Sequence, residues 1–170
     1  EEVEVMGGVL NLSKDRETPI AVSNITAQQI ESKGGFFDLI EVMRTSPGIQ
    51  VNRGGGFGDG NMYLRGFDHT NTAFLINGQP INGVENGKMY WSNWSGMIDV
   101  AEEIEIQRGL GSSNLAISSV GGTVNIVTKA VDQKAGGFVK TVSGYNNYLK
   151  TSAYLSTGLM DNGFAASFLF

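Results

Sequence analysis

Closely spaced glycines interrupt this chain and limit the kind of fold it can adopt. Its 170 residues include 24 glycines but only 3 prolines, where average glycine usage is about 7%. Glycines set beside short apolar segments indicate tight turns and close backbone approaches. The scarcity of proline argues against a disordered Pro/Gly linker. We therefore expect short elements joined by tight turns.

Two short helices are predicted near the start of the chain. Thr26 is followed by Gln29, which is the spacing of a capping box, so a first helix is expected over 27–33. A second helix should begin near Phe36, because apolar residues recur there at helical spacing, and Pro47 should end it.

Alternating apolar and polar residues predict several short strands. The segments concerned are 19–25, 49–52, 62–65, 73–76, 103–107 and 123–127. Asn77-Gly78 predicts a two-residue hairpin turn, because both residues tolerate positive φ. In 103–107 we expect the isoleucines to point inward and Glu103 and Glu105 to share a solvated face. Residues 54–60 should form a flexible loop, and residues 82–96 a long one.

The pattern changes after Lys129. Longer strands are predicted at 136–143, 149–157 and 164–170, with turns at 145–147 and 160–163, which describes an up-and-down meander. The face of the second strand that carries Leu149 and Leu155 is more apolar than the other. Such a strand fits the wall of a membrane barrel, but an ordinary antiparallel sheet explains the alternation equally well. The chain ends within the third of these strands, so we expect it to be part of something longer.

Composition excludes several classes of function. A net charge of -5 disfavours a nucleic-acid partner. With no cysteine and a single histidine, His69, thiol chemistry and a multi-histidine metal site are excluded, and His69 reads as a polar loop residue beside Asp68. No catalytic constellation is present, so we predict no enzyme activity, no cofactor and no metal. No apolar stretch is long enough for a membrane-spanning helix.

Motifs in a fixed order resemble the plug domain of TonB-dependent outer-membrane transporters. They are 19–22 (PIAV), 39–43 (LIEVM), 46–51 (SPGIQV), 63–67 (YLRGF), 74–81 (FLINGQPI), 104–109 (IEIQRG) and 121–129 (GGTVNIVTK). Asn77 stands where the family usually has Asp, which keeps the turn chemistry but loses a charge. Residues 110–120 depart from the sequence pattern usual in the family. Each motif alone is weak, but their order is specific.

The resemblance implies an α+β fold, in which a small mixed-sheet plug with short helices precedes the first antiparallel strands of a transmembrane β-barrel. It divides the chain into a TonB-box-like segment (1–9), the plug (10–135) and barrel strands (136–170). It implies a gate that helps to admit a scarce, large nutrient across the bacterial outer membrane, with the N-terminus in the periplasm. The partners implied are the TonB C-terminal domain, the protein's own barrel and an unknown nutrient.

The resemblance and the loop positions also give candidate site residues. Val3, Glu4 and Val5 form a candidate strand for TonB, with a disordered lead-in as the alternative. Arg65 and Arg108 are candidates to bind barrel carboxylates, with a local surface pair as the alternative. The candidate substrate contacts are Gly55, Phe57 and Asp59 in one loop and Tyr90, Trp91, Asn93 and Trp94 in another. The loop aromatics would serve equally well as packing anchors against the barrel.

One rival function stays open at this point. A self-contained surface β-module, such as an adhesin or glycan-binding domain, would share the glycine-rich turns, the loop aromatics and the lack of an active site. It would need a closed core without further strands.

Overall fold

A mixed five-stranded sheet organises the first part of the chain. The computed structural model describes residues 21–33, 38–56, 58–109, 119–128 and 134–170. The strands of this sheet are β1 (Ala21–Thr26), β5 (Thr72–Ile76), β6 (Gln79–Pro80), β7 (Glu103–Arg108) and β8 (Gly122–Val127), in the spatial order β1-β7-β8-β5-β6. The β5–β8 pair is parallel and the other pairs are antiparallel.

The predicted Asn77-Gly78 hairpin turn is confirmed. Asn77 and Gly78 have φ values of 49° and 81°, and they join β5 to β6 with Ile76 opposite Gln79. The Asn77 side chain also ties the turn to the end of β8. Its Nδ2 donates to Thr128 Oγ1 and its Oδ1 accepts from Thr128 N, both at 2.8 Å.

Two short helices pack beside the sheet. Helix α1 (Ala27–Lys33) begins as predicted, and Thr26 N donates to Gln29 Oε1 at 3.0 Å, which is one half of a capping box. Helix α2 (Leu39–Met43) begins later than predicted, because Asp38 caps it by accepting from Glu41 N at 3.1 Å. Phe36, where the start was expected, lies outside the described residues.

A second, three-stranded sheet contains β2 (Ile49–Arg53), β3 (Gly60–Leu64) and β4 (Phe67–Asp68). The prediction that Arg65 belongs to a strand is wrong. Arg65 and Gly66 have φ values of 55° and 83°, and they form the two-residue turn between Leu64 and its partner Phe67. Glycine suits the second position of this turn, because Gly66 can take the left-handed conformation without steric cost.

The hydrophobic core lies between one face of the five-stranded sheet, the two helices and the smaller sheet. Its fully buried members include Phe74, Ile104 and Ile106 from the large sheet, Ile40 from α2 and Leu64 from β3. Segment 89–101 closes the core with Met89, Trp91, Ile98 and Ala101. The long loop predicted over 82–96 is therefore partly core, and it contains a 3₁₀ turn at Trp91–Trp94.

The predicted solvated face of β7 is wrong. Glu105 is only 3% exposed and Gln107 5% exposed, whereas Glu103 is half-buried. Strand β7 lies between β1 and β8, and Asn125 on β8 donates from Nδ2 to Glu105 Oε2 at 2.9 Å. Asn125 Oδ1 in turn accepts from Gly78 N at 3.1 Å. Hydrogen-bonded polar side chains can be buried, so this face of the sheet is polar without being solvated.

The C-terminal part forms the predicted meander, which comprises β9 (Gly136–Ser143), β10 (Leu149–Ser156) and β11 (Ser167–Leu169) in the order β11-β10-β9. The first two strands agree with the prediction within one residue. The third is shorter than predicted, because the turn extends further: Thr157 N donates to Ala166 O and Met160 N to Phe164 O. In β10, Leu149 and Leu155 are exposed, whereas Ser152 and Tyr154 are buried.

None of the helices in the described ranges has both the length and the apolar character needed to cross a membrane.

Candidate substrate face and the contact between sheet domain and meander

Three loops meet around a cavity of about 420 Å³. They are the tip of the β2–β3 hairpin, the 3₁₀ turn at His69–Asn71 and the segment that leads into the Trp91–Trp94 turn. The cavity lining includes Asp59, Tyr63, His69, Lys88, Tyr90 and Trp91. The sequence named two loops as candidate substrate contacts. Although they are distant along the chain, both border this one cavity.

The β2–β3 tip is hydrogen-bonded rather than loose. Gly54 N donates to Asp59 O at 3.0 Å, and Gly55 N donates to the Asp59 carboxylate at 2.9 Å. A Cβ added at Gly54 would lie 2.1 Å from Asp59 Oδ2, so a side chain at this position would displace the Asp59 carboxylate. Gly55 and Asp59 are both exposed. The predicted loop lies at this tip, and Asp59 closes it through these hydrogen bonds. Phe57 lies outside the described residues.

The aromatic segment divides into buried and exposed members. Trp91 is 3% exposed, and its ring meets that of Phe74 edge-on at a centroid distance of 5.1 Å. Trp94 is half-buried and packs against the core. Tyr90 is 50% exposed and Asn93 is exposed as well. Trp91 and Trp94 thus pack into the core of the domain itself, which is not the contact with the barrel that the sequence suggested as an alternative, and Tyr90 and Asn93 are the two that face solvent.

Local hydrogen bonds and burial shift the pKa values of two ionisable groups at the cavity. Hydrogen bonding from the Thr70 hydroxyl lowers the pKa of Asp68 against the opposing effect of burial, with help from Thr70 N and Asn71. Burial lowers the pKa of His69, although the Asp68 charge opposes it. His69 lies in the short 3₁₀ turn that follows Asp68 and is 9% exposed. It offers the cavity a neutral imidazole at pH 7.

Arg65 and Arg108 lie side by side at one end of β7. A Cβ added at Gly48 would lie 3.7 Å from both Arg65 Cγ and Arg108 Cδ. Arg65 N donates to Gly48 O at 2.8 Å, and Arg108 Nη1 donates to Pro47 O at 3.2 Å. Within the part of the chain that the structure describes, neither guanidinium has a carboxylate at ion-pair distance. The candidate TonB strand of Val3, Glu4 and Val5 lies outside that part.

An ion-pair cluster, which we call the Asp99 cluster, joins the sheet domain to the meander. Asp99 Oδ2 lies 2.6 Å from Lys150 Nζ and accepts from Ser152 Oγ at 2.8 Å, and Asp99 Oδ1 lies 3.4 Å from Lys140 Nζ. The Asp99 side chain is 1% exposed. Burial alone would raise the pKa of Asp99, but the hydrogen bonds from Lys150 and Ser152 and the two lysine charges outweigh it, so the pKa is lowered.

Sequence reasoning missed this cluster, although two signals for it exist. Asp99 is a single charge within the otherwise apolar run 97–101. Lys150 and Ser152 alternate with Leu149 and Thr151, so they share one face of β10, and Ser152 is paired with Lys140 on β9. A lone acid in an apolar run and a lysine-bearing strand face are complementary, but only the fold brings them together.

The described residues contain no group of three or more side chains suited to hold a metal ion. Together, the exposed tips, the cavity and the buried ion-pair cluster describe a domain that presents loops on one side and is fastened through its flank to an antiparallel sheet.

Comparison with known proteins assigns the family. The TonB-dependent Receptor Plug Domain matches residues 14–123. The vitamin B12 transporter BtuB of Vibrio vulnificus (strain CMCP6) is 26% identical over 171 residues, which cover 94% of this chain and 28% of that protein. A ferric enterobactin receptor of Pseudomonas aeruginosa is 30% identical over 140 residues, which cover 75% of this chain and 18% of that protein.

The fold agrees with the solved structure of a siderophore receptor. The siderophore receptor PiuA from Acinetobacter baumannii superimposes with a TM-score of 0.58 at 28% identity, covering 88% of this chain and 20% of that one. The chain thus spans less than a third of the relatives it matches.

The chain belongs to the TonB-dependent receptor plug family. This membership confirms the predicted mixed-sheet plug fold and the predicted bacterial outer-membrane location. It gives no support to the surface β-module. The relatives are transporters and receptors rather than enzymes.

Proposed function

We propose that this chain is the gate of a TonB-dependent outer-membrane transporter, filling the lumen of a barrel that continues beyond residue 170. In this proposal residues 1–9 are the TonB-binding segment, 10–135 the plug and 136–170 the first barrel strands. The loops around the cavity contact a scarce, large nutrient. TonB then binds Val3, Glu4 and Val5 and pulls the N-terminal segment.

The observation that carries the proposal is the Asp99 cluster. A plug must be held in a wide pore and still be able to move, and polar contacts meet that need better than a continuous apolar interface. Lys140, Lys150 and Ser152 turn toward the sheet domain, while Val139, Leu149 and Leu155 are 76%, 69% and 61% exposed on the meander. A wall with polar residues inward and apolar residues outward is the pattern of a strand between a lumen and lipid.

The two arginines extend the same role. Arg65 and Arg108 present two neighbouring guanidinium groups at one end of β7. Arginine holds carboxylates in a bidentate, permanently charged geometry. We propose that carboxylates of barrel strands that follow residue 170 complete this contact.

The relatives indicate what substrates to test. One is named for vitamin B12 and another for ferric enterobactin. We propose a nutrient of that size class, a metal chelate too large for ordinary porins, without choosing between the two.

The experiment is an uptake assay with the intact gene in cells that contain or lack TonB. Radiolabelled vitamin B12 and iron-55 enterobactin serve as substrates, and a variant with Val3, Glu4 and Val5 replaced by glycine serves as the matched control. Uptake of either substrate that requires both TonB and the intact segment supports the proposal. Equal uptake with and without TonB would contradict it.

A further inference from the structure

Asp38 uses its two carboxylate oxygens for two different structural tasks. Its Oδ1 accepts from Glu41 N at 3.1 Å and caps helix α2. Its Oδ2 accepts from Gly58 N at 3.0 Å and from Arg53 Nη2 at 3.3 Å. Asp38 is 2% exposed, and its hydrogen bond with Gly58 is buried. A buried carboxylate thus joins the core helix to the tip of the β2–β3 hairpin.

Gly58 also contacts the second cavity loop. Its φ is 71°, and a Cβ added there would lie 3.0 Å from Ser92 Cα. Ser92 belongs to the Trp91–Trp94 turn, which the core fixes through Trp91. Gly58 and Ser92 both line the cavity. The position of Gly58 therefore determines how the hairpin tip meets the aromatic segment.

We infer that Asp38 is a positioning residue for substrate binding: through Gly58 it holds the hairpin tip against the Trp91–Trp94 turn, so that the cavity exists before a ligand arrives. This inference rests on the proposed function of the cavity loops. A loop held in its bound arrangement loses less conformational entropy on binding, so its affinity is higher and its association is faster.

The choice of aspartate follows from the two tasks. Asparagine has a single carbonyl oxygen, so it can accept from Glu41 N or from Gly58 N, and its NH₂ group would face the other donor. Serine retains a helix cap but is too short to serve both amides. The Arg53 side chain is 42% exposed, and its ion pair is a second contact at Oδ2, beside the hydrogen bond from Gly58 N. These differences allow the loop contact to be separated from the cap and from the ion pair.

The test is amide hydrogen exchange by mass spectrometry on the full-length transporter without ligand. Asp38→Ser, which keeps the helix cap but is too short to serve Gly58 N as well, is the main variant. Asp38→Thr, which is equally short, is a second in case the first fails to fold, and Arg53→Met is the matched control that keeps the Gly58 contact. Because hydrogen bonds to charged groups are among the stronger ones, we expect peptides over 54–60 to exchange at least about tenfold faster in the Asp38 variants. Peptides over 103–108 and 122–127 should not change, and Arg53→Met should change the tip by less than about threefold.

Unprotected Gly58 in the unmodified protein, or equal tip exchange in Asp38→Ser and wild type, would overturn the inference. A binding arm uses vitamin B12 and ferric enterobactin. We expect Asp38→Ser to weaken whichever probe wild type binds by about tenfold, mainly through slower association, and bound probe to restore tip protection. Weaker association without a change in tip exchange would also overturn it. Failure of wild type to bind either probe would count against the proposed substrates, whereas the exchange result would still decide whether Asp38 fixes the tip.

Discussion

Lys150 Nζ lies 2.6 Å from Asp99 Oδ2, so a side chain of the second meander strand reaches an acid that is buried at the flank of the plug. Lys140 approaches the other carboxylate oxygen at 3.4 Å from a position where its side chain is 37% exposed, against 15% for Lys150. The two lysines therefore form a matched pair for testing how the plug is held.

Lys150→Met should weaken the contact between plug and meander more than Lys140→Met. Lys150→Met removes the closer and more buried partner of Asp99 and leaves only Lys140, at 3.4 Å. Breaking a buried ion pair costs up to about 3–5 kcal/mol, whereas an exposed pair contributes about 0–1 kcal/mol. Single-channel recordings of the full-length variants in planar bilayers would measure the result as spontaneous openings. Leak from Lys150→Met no greater than that from the wild type would show that the Asp99 cluster does not hold the plug.

The Asp99 cluster should be insensitive to pH near neutrality and fail only in acid. The pKa of Asp99 is lowered in the folded protein. Its contribution to stability is therefore fully present above the unfolded pKa of about 3.9 and is lost as the pH falls through the lower, folded value. Bilayer leak should stay constant from about pH 5 to 8 and rise below about pH 4. An increase in leak already at about pH 6 would require a different titrating group.

Tyr90→Ala and Trp91→Ala should have opposite phenotypes. Trp91 is buried against Phe74, so its truncation should lower the free energy of unfolding by about 3–5 kcal/mol. Tyr90 is half exposed at the cavity, so its truncation should leave stability within about 1 kcal/mol and weaken substrate binding. Hydrogen exchange of the core sheet and a binding assay on the same preparations would separate the two. A destabilised Tyr90→Ala protein would contradict this assignment.

Asn77→Asp should be tolerated, whereas Asn77→Ala should not. Asn77 bonds both the amide and the hydroxyl of Thr128. Aspartate can still accept from both, because the Thr128 hydroxyl can rotate to donate. Alanine removes both contacts and must also take a φ of 49°, with an expected cost of about 2 kcal/mol. Exchange rates of peptides over 73–81 would provide the measurement, and equal rates in all three proteins would contradict the account.

Local rules predicted the short elements well. The Thr26–Gln29 spacing placed α1, Asn77-Gly78 placed a hairpin, and alternation placed β9 and β10 within one residue. These features depend on neighbours in sequence, so the information is local. The end of the predicted strand 62–65 is the exception, because the Arg65-Gly66 turn needs a non-glycine residue at positive φ.

Burial was harder to predict, because it depends on residues far apart in the chain. Glu105 was expected in solvent on alternation alone, but β7 is flanked on both sides, and Asn125 from β8 meets it. Trp91 was a candidate for ligand contact, but in the fold its ring packs edge-on against Phe74 in the core.

For the same reason, the sequence did not reveal the two residue contacts that matter most for the proposed function. Asp99 and Lys150 are 51 residues apart, and Asp38 and Gly58 are 20 apart. Neither pair has a motif. Each requires the topology to be known before its residues can be matched by charge or by hydrogen-bonding capacity.

Planar-bilayer conductance of the full-length protein, compared with a version that lacks residues 10–135, tests the central claim most directly. If this domain is the gate, the intact protein should be closed and the shortened one should conduct as a wide, open pore. An intact protein that conducts as well as the shortened one, or a shortened one that folds as a barrel yet remains closed, would contradict the assignment of this chain as the plug.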